Sequence, residues 1–514
     1  MTTPFFDKYK HKVLRIDELH ERIGVFPREK KVIMCHGVFD VVHPGHVRHL
    51  VYAKTKADIL VVSITTDLHI KKGVYRPHIP EDLRALNLAA FEMVDYVIID
   101  SNETPLKNIK LLKPDLFAKG FEYVSDGLPP ATQEEVDFVQ SYGGEIIFTP
   151  GDVVYSSSKF SNTSPPQVKY EKLLLLLEKH DLSLSKLRQK LLDFRGINVH
   201  VVGDTIVDSY TRTRLIGGQT KTPTFSVLKE GVDNYVGGAG IVAKHLRAAG
   251  ANVVFSTVLG KDSLGDFVLG DLKSYGIEVN AVRDESRPTT NKNVFIASGY
   301  RLLKVDSLDN RPISTRYLNH LCDSISKTES DILVFSDFRH GIFNRSHIGK
   351  LAEARKKGVF SVADSQVASR WGNITEFKNF DLVTPNEREA RFALAAQDST
   401  VGQLAKEVTD ACVTDNLILK LGSKGIFCVY PGDGYYNQFS LDSFSSGVVD
   451  PVGAGDALLA YSALALFKTK SLVAAGVIGS VAAACECEID GNVPIEPKDV
   501  DSRLDKIDKQ SSYG

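Results

Sequence analysis

Between Lys31 and Asp67 the chain reads KKVIMCHGVFD, then HPGHVRHLVYAKTKAD, then ILVVSITTD. An apolar run of strand length is followed by a helix-period stretch that opens after Pro and Gly, and then by a second apolar run. Strands joined through a helix lie parallel, so this βαβ unit commits the segment to an α/β layer structure. The alternation continues through EDLRALNLAAFEMV, DYVIID, TPLKNIKLL, PDLFAK and GGEIIFTP. Residues 30–160 are therefore expected to form one domain on a parallel sheet.

The polar stretch YSSSKFSNTSPPQVKY closes that domain, and the Leu-rich YEKLLLLLEKHDLSLSKLRQKLLDF predicts a helical linker over 161–195. Strand-like and helix-like segments alternate again from VHVVGD to NLILKLG, which predicts a second α/β domain over 196–500. Thr- and Val-rich segments between Asp208 and Val236 suit a small antiparallel flap. SLVAAGVIGSVAAAC is shorter than the roughly 20 residues of a membrane span and is expected to be a buried helix. The tail DSRLDKIDKQSSYG is expected to fray.

With 62 Lys+Arg against 64 Asp+Glu, the chain gives no electrostatic reason for a nucleic acid or membrane partner. The six cysteines form no CxxC pair, and MTTPFFDKYK lacks the apolar core of a signal peptide, so a cytoplasmic protein acting on small molecules is expected.

Two turns carry chemistry. HGVFDVVHPGH ends a strand and opens a helix, where free N–H groups and the helix dipole favour a phosphate. His43 and His46, one turn apart, can donate to an α-phosphate under in-line attack, and Gly45 leaves room for the nucleotide. A bare HxGH is also a polar cap. In VVDPVGAGDALLAYSAL the amides around Gly453, Ala454 and Gly455 form a second anion-binding helix start, with the Asp456 carboxylate in the same turn to take a hydroxyl proton. Asp456 could equally be a helix cap.

CHGVFDVVHPGHVRHL resembles the signature of cytidylyltransferase-like nucleotidyltransferases, with a Rossmann-like fold. The resemblance covers residues 30–160. It implies nucleotide contacts by Gly37, Phe39, Gly45, Lys54, Arg76, Arg84, Lys119, Ser157 and Ser158, with His43 and His46 catalytic. AKG followed by an aromatic residue looks more like heptose-1-phosphate nucleotidyltransferases than glycerol-phosphate cytidylyltransferases, whose RTEGxSTT segment is absent.

The second domain resembles the PfkB, or ribokinase-like, sugar kinases. DPVGAGDALLA matches their C-terminal signature, which makes Asp456 the base, and VGGAGIVAKHLRAAGANVVFSTVLGKD their N-terminal one. The resemblance implies ATP contacts by Lys420, Gly422, Gly425, Gly453, Ala454 and Gly455. It implies sugar contacts by Asp204, Asp208, Gly237, Gly238 and Lys292, and Mg²⁺ held through water by Asn386 and Glu389. Ile241 stands where the family has a sugar-touching Asn. Asp364-Ser365-Gln366 replaces the DPK of heptose-phosphate kinases, and Val294 the Arg of their TxKxR.

Together the two halves resemble bifunctional heptose-7-phosphate kinase/heptose-1-phosphate nucleotidyltransferases, with the domain order reversed. The expected reactions are ATP-dependent phosphorylation of a sugar or sugar phosphate and NMP transfer from ATP or CTP to the sugar 1-phosphate. A homo-oligomer, specifically a dimer, is expected. The alternatives are a cytidylyltransferase/kinase for another surface-glycan sugar or polyol, and a nucleotide-binding regulator without turnover.

Overall fold

The computed structural model describes residues 8–70, 76–120, 130–149, 169–216, 225–366, 374–432, 436–445, 447, 449–489 and 491–512. It divides into two compact units, Met1–Lys179 with Asp398–Leu404, and His180–Gln397 with Ala405–Gly514. Of the segment expected as a linker, the helix Lys169–Lys179 falls in the first unit and the helix Leu184–Lys190 in the second.

The first unit is built on β1 (Val32–Gly37), β2 (Ile59–Thr65), β3 (Tyr96–Asp100), β4 (Leu116–Gly120) and β5 (Glu145–Thr149). They lie in the order β3-β2-β1-β4-β5, all parallel. Successive β1 residues point to opposite faces: Ile33 and Cys35 pack with Leu60 and Val62, while Val32 and Met34 pack with Val61 and Phe117. Both faces are covered, which is why these strands read as continuous apolar runs. The order reverses between β1 and β4, so a crevice is expected outside the carboxyl ends of those two strands.

The second unit's strands, in chain order, are β6 (Asn198–Gly203), β7 (Thr205–Leu215), β8 (Val227–Gly238), β9 (Asn252–Gly260), β10 (Glu278–Asp284), β11 (Asn291–Ala297), β12 (Tyr300–Ser307), β13 (Ile332–Asp337), β14 (Phe360–Ser365), β15 (Leu382–Val383), β16 (Leu417–Lys420), β17 (Ile426–Pro431) and β18 (Tyr436–Leu441). The main sheet runs β10-β9-β6-β13-β14-β15-β16-β17-β18 and is parallel from β10 to β16. Its order reverses between β6 and β13.

The flap is larger than expected and not purely antiparallel: four strands lie in the order β12-β11-β7-β8, with β11 parallel to β7. Two antiparallel hairpins, β7–β8 and β11–β12, pair through their first strands. Those strands follow β6 and β10, which share a direction in the main sheet and so leave it at the same edge.

Behind the sheet, the helix Ala454–Thr469 is buried from Asp456 to Leu466 and the helix Leu472–Cys487 at nearly every position, as expected for the apolar run from Ser471. No helix among the described residues is long and apolar enough to cross a membrane. The tail does not fray at the described residues. Pro497–Ser512 is a helix that buries Val500, Leu504 and Ile507, and Arg188 pairs with its Asp501 and Asp505. A three-residue apolar stripe at i, i+4 and i+7 suffices to dock it, and the polar and charged residues around it hid that stripe.

Candidate active sites

In the first unit, Pro44 sets the first turn of the helix Pro44–Lys54 and His43 caps it, its Nδ1 accepting from the Gly45 N–H at 3.1 Å. The proton of the neutral ring is thereby fixed on Nε2. A Cβ at Gly45 would lie 2.9 Å from the His43 ring, so any larger residue would displace the ring from its cap. The His46 ring stacks on His43 and lies 5.1 Å from Phe39, which follows Gly37 at the end of β1. Burial lowers both pKa values, that of His46 to about 4 with the neighbouring His43 and His49 adding to the shift. Both imidazoles are neutral N–H donors at pH 7. Across the reversal point, at the end of β4, the buried Lys119 ammonium lies 2.5 Å from Glu135.

Two residues expected on phosphate are engaged elsewhere. Lys54 closes the helix that Pro44 opens, about 15 Å away at 1.5 Å per residue, and binds Asp95 and the Asp58 carbonyl. Arg84 is fully buried and donates to the carbonyls of Ile79, Val38 and Thr65 and to Asp67. A guanidinium with four protein acceptors and no exposed surface ties together the loops that carry them. Arg76 is half-buried, just ahead of His78 and Ile79, whose amides both donate to Asp40 Oδ1. Sequence reasoning passed over Asp40, although an acid directly after Phe39 in the strand-to-helix turn was a visible signal. Ser157 and Ser158 lie outside the described residues.

In the second unit, Gly453 (φ +89°) starts the helix Ala454–Thr469, and a Cβ there would lie 2.6 Å from Asn492 Oδ1 and 2.8 Å from Glu486 Oε1. Asp456 is buried in the first turn, its Oδ1 without a hydrogen-bond partner. Burial pushes its pKa up to about 8, helped by Asp364 and Asp208 and opposed by Lys420 and Lys292. Lys420 ends β16 and is bound by both Asp364 oxygens at 2.9 and 3.0 Å. Glu486 is fully buried with no geometric side-chain partner; burial and Asp456 raise its pKa to about 8, with the Val493 amide opposing. The sequence reading missed Asp364 as Lys420's partner, and Glu486. A lone acid in an apolar helix was the available signal for the latter.

On the flap, Lys292 stands opposite Asp208 in register, Asp208 accepts from Asn492 at 2.9 Å, and Gly237 abuts the same carboxylate. The Asp208 and Lys292 charges reach Asp456. Gly238 leads into the next helix. Asp204 departs from its expected sugar contact: its carboxylate accepts from the amides of Phe338, His340 and Ile342, fixing the loop after β13. Ile241 is fully buried, so it marks no acceptor contact. Gly422 and Gly425 form the turn between β16 and β17.

Asn386 and Glu389 form a reciprocal capping box, Glu389 accepting from the Asn386 amide at 2.7 Å and Asn386 from the Glu389 amide at 2.8 Å. Among the described residues no cluster of three His, Cys, Asp or Glu could cage a metal. Asp364, Glu389 and Asp456 place their negative charges around Lys420, and a hard cation arriving with nucleotide phosphates would meet them through its hydration shell.

Comparison with known proteins finds two families along the chain. The pfkB family carbohydrate kinase model matches residues 197–498, more than half of the chain, and the cytidylyltransferase-like model matches residues 34–189. The bifunctional protein HldE of Desulfatibacillum aliphaticivorans is 24% identical over 317 residues, 60% of this chain and 64% of that protein. That of Citrifermentans bemidjiense is 42% identical over 138 residues, 26% and 27% of the two chains. The chain thus spans less than two thirds of the length of these curated relatives. Escherichia coli phosphofructokinase-2 in complex with fructose-6-phosphate shares the fold, with a TM-score of 0.50 at 18% identity over 61% of this chain and 99% of that one.

Proposed function

The chain belongs to the pfkB family of carbohydrate kinases, and from that premise we propose that it is a bifunctional enzyme making a nucleotide-activated sugar. The second unit phosphorylates a sugar or sugar phosphate of the heptose-7-phosphate kind with ATP. The first transfers NMP from ATP or CTP to the resulting sugar 1-phosphate, releasing pyrophosphate.

The observation that carries the kinase half is Asp456: a buried carboxyl with an unpartnered oxygen, in the first turn of a helix, facing the charges of Asp208 and Lys292. A hydroxyl bound between flap and helix start would give its proton to Asp456 as its oxygen attacks the γ-phosphorus. Mg²⁺ brought with the nucleotide would offset phosphate charge, with Asn386 and Glu389 reaching it through water. In the first unit the neutral His43 and His46 would donate to the α-phosphate as its charge grows, beside the helix amides.

The test is an ATP-dependent phosphorylation screen over heptose, hexose and pentose phosphates, followed by mass spectrometry of the product with each NTP. A nucleotide-sugar formed from one acceptor in two steps is the expected result. No phosphorylation of any acceptor would reject the reading.

A further inference from the structure

The end of β16 brings a single ammonium to the start of the helix Ala454–Thr469. A methyl group on Gly455 would lie 3.5 Å from Lys420 Nζ, so the ammonium stands against the helix turn whose first amides have no intrahelical acceptor. Two of its N–H groups are taken by Asp364 Oδ1 and Oδ2, and the third makes no hydrogen bond among the described residues. Asp364 is itself oriented by the Thr384 hydroxyl at 3.2 Å. The Lys420 and Asp364 side chains are 12% and 2% exposed, and Asp456, whose Oδ1 lacks a partner, lies one residue beyond Gly455. A lysine clamped this way, with one donor left over beside free helix amides and a carboxyl, is placed to meet an anion.

We infer that Lys420, held by Asp364, is the catalytic cation of the kinase site and contacts the phosphoryl group in transfer. This rests on the kinase reading above. The acceptor oxygen forms its bond to the γ-phosphorus, the bond to the ADP oxygen breaks, and the hydroxyl proton passes to Asp456. Lys420 keeps its proton throughout and donates a hydrogen bond to a non-bridging oxygen, where charge accumulates in the transition state. Asp364 takes no part in proton transfer. It is a positioning residue that fixes the lysine by two bonds, so that no reorganisation is needed when the phosphoryl group moves.

The test compares Lys420→Met, Lys420→Arg and Asp364→Asn with the unaltered enzyme, using ATP and the acceptor found in the screen. Lys420→Met should lower kcat by about 10²–10³, the usual loss for one such donor, with the acceptor KM within threefold. Lys420→Arg should recover at least tenfold over the methionine variant. Asp364→Asn should lower kcat by at least tenfold, and pyrophosphate release by the first unit, measured with the sugar 1-phosphate supplied directly, should not change in any of them. A kcat within threefold of the unaltered enzyme in Lys420→Met, or a loss confined to the acceptor KM, overturns the inference. If Lys420→Met does not fold, Lys420→Arg and Asp364→Asn decide: full kcat in both overturns it. Titration of ADP-loaded protein with inorganic phosphate gives a readout free of turnover. Lys420→Met should weaken phosphate binding at least tenfold, and equal binding overturns the inference even if the unaltered chain phosphorylates no sugar, an outcome that on its own rejects only the kinase reading.

Discussion

The imidazoles of His43 and His46 stack with their centroids 3.9 Å apart and their planes 27° from parallel. Two imidazolium ions would repel strongly at that separation, and burial adds to the cost of charging His46, so the pair works as neutral donors. The arrangement follows from HPGH alone. Proline starts the helix, His43 turns back to cap it, and the missing Cβ of Gly45 lets the ring lie flat under His46.

His46→Ala should therefore lower pyrophosphate release by about 10²–10³ while kinase turnover persists. Because burial holds both His43 and His46 below the ordinary imidazole value, nucleotidyl transfer should show no inflection at or above pH 6.5. A rate that halves at pH 6.5 would contradict the neutral-pair assignment.

Arg84 separates a structural role from a nucleotide contact. Arg84→Met strands Asp67 and three carbonyls in the interior, and breaking a buried pair of this kind costs about 3–5 kcal/mol. The melting temperature of the first unit's transition should drop by several degrees. An unchanged melting curve with a raised KM for the nucleotide would return Arg84 to the phosphate.

These two residues mark what was legible in the sequence. The strand–helix alternation, the HPGH and GAGD helix starts, and the buried helix after Ser471 follow from local periodicity and turn chemistry, which a single stretch of sequence carries. The protein partners of Lys54, Arg84 and Asp204 were not legible, because a charged residue's use depends on which partner the fold brings to it. Asp95, the Val38 carbonyl and the Phe338 amide lie 41, 46 and 134 residues away. The Lys420–Asp364 pair spans 56 residues and two strand ends, so neither partner announces it alone.

Glu486 predicts a pH-dependent gain in stability. Its pKa rises from an ordinary 4.5 to about 8 on folding, so its contribution is fully present below pH 4.5 and is lost as the pH rises toward 8. Glu486→Gln, neutral at every pH, should melt with the unaltered protein at pH 4.5 and above it at pH 8, with the gap widening in between. A gap independent of pH would show that the buried carboxyl is not held protonated.

Asp456 carries the most direct test of the two-step scheme. The group must be deprotonated to accept the hydroxyl proton, and its pKa is raised to about 8, so kinase kcat/KM should climb from pH 6 and level off above about 8. Asp456→Asn keeps the size of the side chain and removes the base, so phosphoryl transfer should fall by about 10²–10⁴ with ATP still bound. Given the unphosphorylated anomeric hydroxyl, NTP and Mg²⁺, the variant should make almost no nucleotide-sugar, yet the sugar 1-phosphate supplied directly should restore product to near the unaltered rate. Failure of that rescue with an unchanged melting curve would show that the sites do not act in series. Full kinase activity in the variant would leave Asp456 a helix-turn acid and move the base elsewhere, with Asp208, 2.9 Å from Asn492 on the flap, the next carboxylate to substitute.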